Sequence, residues 1–123
     1  MLKRLSIVLL LLAFSALCTF AQLGEQERSW NQPVEPFRIA GNIYYVGASE
    51  ITSYLITTPK GHILIDSGFI ETVPQITANI VKLGFKVEDV KILLNSHAHY
   101  DHASGLNQLR RLTKAKLLVS RPD

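Results

Sequence analysis

The 123-residue chain has one cysteine, Cys18, in an apolar stretch near its start, so no disulfide can staple the rest of the sequence. Excess charge is also lacking. Lysine and arginine number 13 against 10 aspartate and glutamate, and two of these cations are Lys3 and Arg4. Setting those two aside leaves 11 against 10, so the sequence pI of 9.2 implies no nucleic-acid partner. Seven glycines and five prolines are too few for a collagen or low-complexity chain, and 47% hydrophobic with 19% charged residues excludes disorder. No internal repeat is visible.

Leu5 to Phe14 is a nearly unbroken apolar run behind Lys3 and Arg4, and small residues follow at Thr19 and Ala21. At ten residues the run is shorter than the roughly 20 that a membrane-spanning helix needs. Residues 1–21 therefore read as a secretory signal peptide cleaved after Ala21, with no membrane association once it is removed. A buried N-terminal helix would need polar positions at helical spacing, and only Ser6 interrupts the run. Lipidation at Cys18 would favour a small residue where Leu17 stands.

Residues 22–36 form a polar N-terminal arm with Trp30 as its large apolar group, and Pro33 and Pro36 discourage helix there. The arm is expected to lie against the body of the protein. Phe37–Ala40, Ile43–Gly47, Ile51–Thr57 and His62–Asp66 are β-branched and aromatic segments separated by turn residues, which predicts an antiparallel meander. Residues 53–56 and 63–65 are too uniformly apolar for a strand with one face in water and should be central.

After Asp66-Ser67-Gly68 the period changes. Val73, Ile76, Ile80 and Leu83 stand at helical spacing ahead of Gly84, Val90–Leu94 reads as a buried strand, and Leu106, Leu109 and Leu112 mark a second helix before a strand at Lys116–Val119. The order predicts an α/β (α+β) fold, a mixed β-sheet with helices on one face. The ending, Arg121-Pro122-Asp123, follows a buried-looking strand directly and reads as a cut chain.

Chemistry concentrates in His97-Ala98-His99-Tyr100-Asp101-His102, between a strand end and a helix start. Imidazole and carboxylate together suit zinc and its neighbours. In extended backbone residues i and i+2 point the same way, so His97 and His99 can grip one ion from one side. Asp101 and His102 are then free to face a second ion, in the two-ion arrangement hydrolases use at roughly 3.5–4 Å separation. The helix N-terminus favours an ionised Asp101 but opposes a cation, and the pattern leaves that balance open. A solvated polar loop is the bland alternative, and four ligand-type residues at this spacing argue against it. His62 stands alone beside a turn and reads as a solvent-facing strand position.

These six residues resemble the HxHxDH metal motif of the metallo-β-lactamase superfamily, and Leu64-Ile65-Asp66-Ser67-Gly68 resembles its strand-end Asp-Gly motif. Trp30-Asn31-Gln32-Pro33, Pro36-Phe37-Arg38-Ile39, Ile43-Tyr44-Tyr45-Val46-Gly47, Tyr54-Leu55-Ile56 and Asn95-Ser96-His97-Ala98-His99 look like the third subclass of class B β-lactamases. The likeness covers nearly all of Trp30 to Ser120. His102 stands where the first subclass has arginine, and no cysteine follows residue 21 to serve as a thiolate ligand.

The resemblance implies an αβ/βα sandwich of which residues 37–123 supply the N-terminal αβ half, truncated, with the C-terminal half missing. It implies two Zn2+ ions, the first held by His97 and His99 and the second by Asp101 and His102, with the remaining ligands in that other half. Asp66 would be a buried support and Tyr100 a packing residue at the floor of the site. The implied activity is opening of the β-lactam ring of penicillins, cephalosporins or carbapenems by a metal-held hydroxide, with Asp101 as the catalytic residue that orients it. The implied location is the periplasm of a Gram-negative bacterium, or the secreted fraction.

Two other readings stay open: another hydrolase of the same fold, such as a lactonase or glyoxalase-like thioesterase, and a non-catalytic metal-binding fragment. As an isolated piece the chain is expected to be inactive and poorly folded. N-terminal sequencing of exported protein should give Gln22 as the first residue; material beginning at Met1 or acylated at Cys18 would overturn the cleavage assignment.

Overall fold

The computed structural model describes residues 23–120. The expected signal peptide and cleavage after Ala21, Cys18 and the terminal Arg121-Pro122-Asp123 lie outside the described residues.

Six strands form one sheet in chain order: β1 (Phe37–Ala40), β2 (Ile43–Tyr45), β3 (Tyr54–Ile56), β4 (His62–Ile65), β5 (Val90–Leu94) and β6 (Lys116–Leu118). β1 to β4 pair antiparallel, and β4, β5 and β6 pair parallel. The change of direction follows from what joins the strands. Connections without a helix link the first four, while α2 (Val73–Lys82) and then α3 (Tyr100–Ala103) with α4 (Leu106–Thr113) carry the chain back for each parallel pairing. The mixed sheet and the central places of β3 and β4 agree with the sequence pattern.

Register sorts the side chains into two faces. Leu55, Leu64 and Leu93 lie in one cross-strand row, fully buried under Ile76 and Ile80 of α2 and Leu109 of α4. Both helices therefore cover the same face. α2 ends as its sequence implies, because Gly84 takes a left-handed φ of +86° and lets the Phe85 N–H turn back to the Ile80 carbonyl at 3.1 Å.

The opposite face carries the row Phe37, Tyr45, Tyr54, Ile65, Leu94 and Leu118, with Ile43, Ile56, Ile63 and Ile92 beside it. Phe37 stacks on Tyr45 at 5.4 Å, and Tyr45 meets Tyr54 edge-on at 5.8 Å. No described helix covers this face, and Ile43, Leu94 and Leu118 remain 36–37% exposed.

Three expectations change. The arm contains a short helix, α1 (Glu25–Trp30), because both prolines fall after it and Glu25, Glu27 and Arg28 stand where the helix dipole favours their charges. The second and third strands are shorter than their apolar runs, since residues 46–53 leave the ladder for a turn closed by Val46 N–H to the Ser53 carbonyl at 3.0 Å and Ala48 N–H to the Ile51 carbonyl at 2.8 Å. Leu112 is exposed. The face of α4 that meets the sheet runs through Leu109 and Thr113, one turn apart, with the Thr113 hydroxyl bonded to the Leu109 carbonyl at 2.8 Å. Among the described residues no helix is long and apolar enough to cross a membrane.

Leu109→Ala should therefore cost about 2–5 kcal/mol in urea unfolding of the full-length protein, because it opens a cavity at the helix–sheet contact. Leu112→Ala should stay within about 0.5 kcal/mol. Equal losses would show that the buried face of α4 is wrongly assigned.

Candidate metal centre

The site forms where β4 and β5 end side by side. Parallel pairing places Ile65 opposite Leu94, and the ladder runs on one step through the Asp66 N–H to the Leu94 carbonyl at 2.9 Å. There the chain turns sharply, with Asp66 left-handed at φ +61°, a conformation Asp tolerates better than most residues. This sends the buried Asp66 carboxylate across to the segment after β5. Oδ1 accepts the Ser96 N–H at 2.8 Å; Oδ2 accepts the Ser96 hydroxyl at 2.7 Å and faces Nδ1 of His102 at 2.8 Å.

The neighbouring backbone closes the same seam. Ser67 donates its N–H and its hydroxyl to the His102 carbonyl at 2.8 and 2.9 Å, and the Gly105 N–H reaches the Gly68 carbonyl at 3.1 Å. Gly105 cannot carry a side chain here, because a Cβ would lie 2.5 Å from Val73 and 2.7 Å from the Ser67 carbonyl. The start of α4 can thus sit directly on the strand-end loop.

These contacts fix the rings. A carboxylate only accepts, so Nδ1 of His102 carries the proton it gives to Asp66, and in the neutral ring Nε2 is the free lone pair. The single Ser96 hydroxyl proton also goes to Asp66. The hydroxyl oxygen, 2.9 Å from Nδ1 of His97, is then the acceptor in that pair, which leaves Nε2 of His97 free as well. The His97 ring centre lies 4.7 Å from that of His99 and 4.1 Å from that of His102. Nε2 of His102 is 3.4 Å from Oδ2 of Asp101.

The structure thus brings His97, His99, Asp101 and His102 to one sheet end and puts Asp66 behind them. Among the described residues, no group of three or more His, Cys, Asp or Glu side chains is arranged to hold a metal ion. The donors fit zinc in kind, and one pair fits it in spacing. Ligands at about 2.0–2.2 Å in a tetrahedral zinc shell stand roughly 3.4 Å apart, which is the spacing of Nε2 of His102 and Oδ2 of Asp101.

Two other residues depart from expectation. Tyr100 does not line the floor of the site: it is 54% exposed, its ring stacks on Phe69 at 5.5 Å, and its hydroxyl donates to Glu27 in α1 at 3.3 Å. Lost solvation and then the Glu27 carboxylate push the phenol pKa above its usual value, so it stays a donor. His62 lies at the other end of β4 from Asp66. It is half-buried, packed edge-on against Phe85 at 5.3 Å, and accepts the Thr58 N–H at 3.3 Å, so it braces a turn instead of facing solvent. Sequence reasoning gave Ser96 and Ser67 no role; a hydroxyl directly before the first histidine was the one available signal for Ser96.

A family profile of the metallo-beta-lactamase superfamily matches residues 46–123, well over half of the chain. The chain belongs to that superfamily. Solved structures similar to it include the Rm3 metallo-beta-lactamase, 50% identical with a TM-score of 0.75 over 78% of this chain and 36% of that one. FEZ-1 metallo-beta-lactamase from Legionella gormanii is 57% identical, with a TM-score of 0.70 over 71% of this chain and 33% of that one. The class B3 di-zinc metallo-beta-lactamase LRA-12 from an Alaskan soil metagenome is 44% identical, with a TM-score of 0.73 over 78% and 36%. The chain spans about a third of the length of these proteins and matches them in its mixed sheet and helices.

In metal-free full-length protein, Asp66→Asn should cost about 1–3 kcal/mol in urea unfolding, because an amide has one accepting oxygen and its NH2 would face either the Ser96 N–H or the donors that now meet Oδ2. Asp101→Asn, half-exposed and outside that network, should stay within about 0.5 kcal/mol. Equal, small losses would mean that Asp66 does not support the site.

Proposed function

We propose that this chain supplies the N-terminal half of a zinc hydrolase that opens the β-lactam ring of penicillins, cephalosporins or carbapenems. The observation that carries the reading is the cluster of His97, His99, Asp101 and His102 on the Asp66 seam, in a chain 43–57% identical to solved metallo-beta-lactamases. In this reading residues 1–21 direct export, to the periplasm of a Gram-negative cell or beyond it. Residues 22–36 are the arm, and residues 37–123 are the αβ half. The uncovered apolar sheet face would receive the other half of the domain, which would bring the remaining ligands.

His97 and His99 would hold one ion, with Nε2 of His97 as its donor. Nε2 of His102 and Oδ2 of Asp101 would hold the second. Zinc, when bound, supplies positive charge that polarises a carbonyl and makes water acidic enough to ionise near neutral pH. Asp66 keeps the Nδ1 proton on His102, which holds its ring and leaves Nε2 available. Asp101 would also orient the reacting water through its carboxylate, which can accept a proton or a hydrogen bond from it.

The test is substitution in the full-length protein. His97→Ala, His99→Ala, Asp101→Ala and His102→Ala should each lower zinc content and nitrocefin hydrolysis together, by at least about tenfold in rate, while His62→Ala leaves both near the starting level. Normal β-lactam turnover by His99→Ala would overturn the ligand assignment. Turnover of lactones or thioesters by the unaltered protein without any of β-lactams would overturn the substrate class.

A further inference from the structure

Tyr100 stands between two of the candidate ligands yet turns away from them. Its ring lies on Phe69, buried in an apolar cluster with Ala48 and Ile51 against which Trp30 of α1 also packs. Its hydroxyl ends on Glu27, one turn earlier in the same short helix. Phe69 is thus shared between the arm and the ligand loop.

The arm is itself well tethered. The Trp30 carbonyl accepts the Glu50 N–H at 2.9 Å and the Ser49 hydroxyl at 2.7 Å, and Oδ1 of Asn31 accepts the Thr72 hydroxyl at 2.7 Å. Gly24 leaves room for the Glu27 carboxylate, since a Cβ at residue 24 would lie 2.4 Å from its Oε2. α3 is a single turn of four residues with no buried side chain of its own. Asp66 and Ser67 hold its His102 end. A one-turn helix has almost no stability of its own, so its first residue needs a separate hold.

We propose that the N-terminal arm is part of the metal centre's scaffold: Glu27 and Phe69 fix Tyr100, and Tyr100 fixes the turn from which Asp101 and His102 project. Tyr100 is a positioning residue, acting through its neighbours in the chain and not by contact with an ion. This rests on the ligand assignment proposed above. A direct consequence is selectivity between the two ions. His97 is held by Ser96, and His99 meets α3 through its backbone carbonyl, which accepts the His102 and Ala103 N–H groups, so loosening Tyr100 should weaken the ion held by Asp101 and His102 more than the other.

The experiment is stepwise zinc titration of the full-length protein against a chromophoric chelator, beside thermal melting of the metal-free protein. Tyr100→Ala should weaken one of the two zinc ions by about 10-fold or more, leave the other within about twofold, and shift the metal-free melting temperature by no more than about 2 °C. Tyr100→Phe keeps the stack and loses the hydroxyl, so it should show a smaller loss, matched by Glu27→Ala. The double variant Tyr100→Phe with Glu27→Ala should be no worse than either alone, because both remove one interaction. Tyr100→Phe and Glu27→Ala carry the test if Tyr100→Ala does not fold. Unchanged zinc binding in these variants, equal weakening of both ions, or losses that simply multiply in the double variant would overturn the proposal while the ligand assignment stands. Failure of the unaltered protein to bind zinc would overturn the ligand assignment and this inference with it.

Discussion

The Asp66 carboxylate is the interaction on which the rest of the site depends. Its two oxygens take a backbone N–H, a hydroxyl and an imidazole N–H from residues 30 and 36 positions further along the chain. A buried carboxylate is costly unless its lone pairs are filled, and here three donors fill them. The same bonds give two imidazoles a defined tautomer. Removing the carboxylate would leave three donors without an acceptor and two rings free to rotate, so fold and chemistry meet in one group.

The sheet makes that arrangement possible. Leu55, Leu64 and Leu93 lock the ends of β3, β4 and β5 under α2 and α4, so the loops that leave the carboxyl ends of β4 and β5 start from a rigid edge. The histidines themselves can then stand exposed or half-exposed, available to a ligand, because the buried groups behind them supply the order. The sheet is asymmetric: one face is closed by helices, and the other is an apolar surface of cross-strand pairs. On the arm side, Phe69 joins Trp30 and Tyr100, so three separate stretches of chain converge beside the ligand loop.

Much of this was legible in the residues. The β-branched and aromatic runs between turn residues and the helical spacing located all six strands and the two long helices of the described residues, Gly84 marked the stop of α2, and the central places of β3 and β4 followed from their continuous apolar runs. The misreadings have physical causes. Leu112 is an exposed leucine that helical spacing alone could not separate from a buried one. The short helix before Pro33 is made of good helix formers but is too short to stand alone, and tertiary hydrogen bonds hold it. His62 stood alone in the sequence, and its partner Phe85 comes from a loop 23 positions away.

The sequence by itself determined the kinds of donor, their order and the strand-to-helix junction that carries them, because these are properties of six consecutive residues and of local periodicity. Only the tertiary structure decided which nitrogen of His97 and of His102 is free, that Ser96 links Asp66 to His97, and that Tyr100 looks outward to Glu27. Those facts depend on the parallel pairing of β4 with β5 and on the docking of the arm, which bring together side chains 30, 36 and 73 positions apart. Hydrogen bonds at that separation leave no periodic trace in the chain, and they form once the strand ends stand side by side.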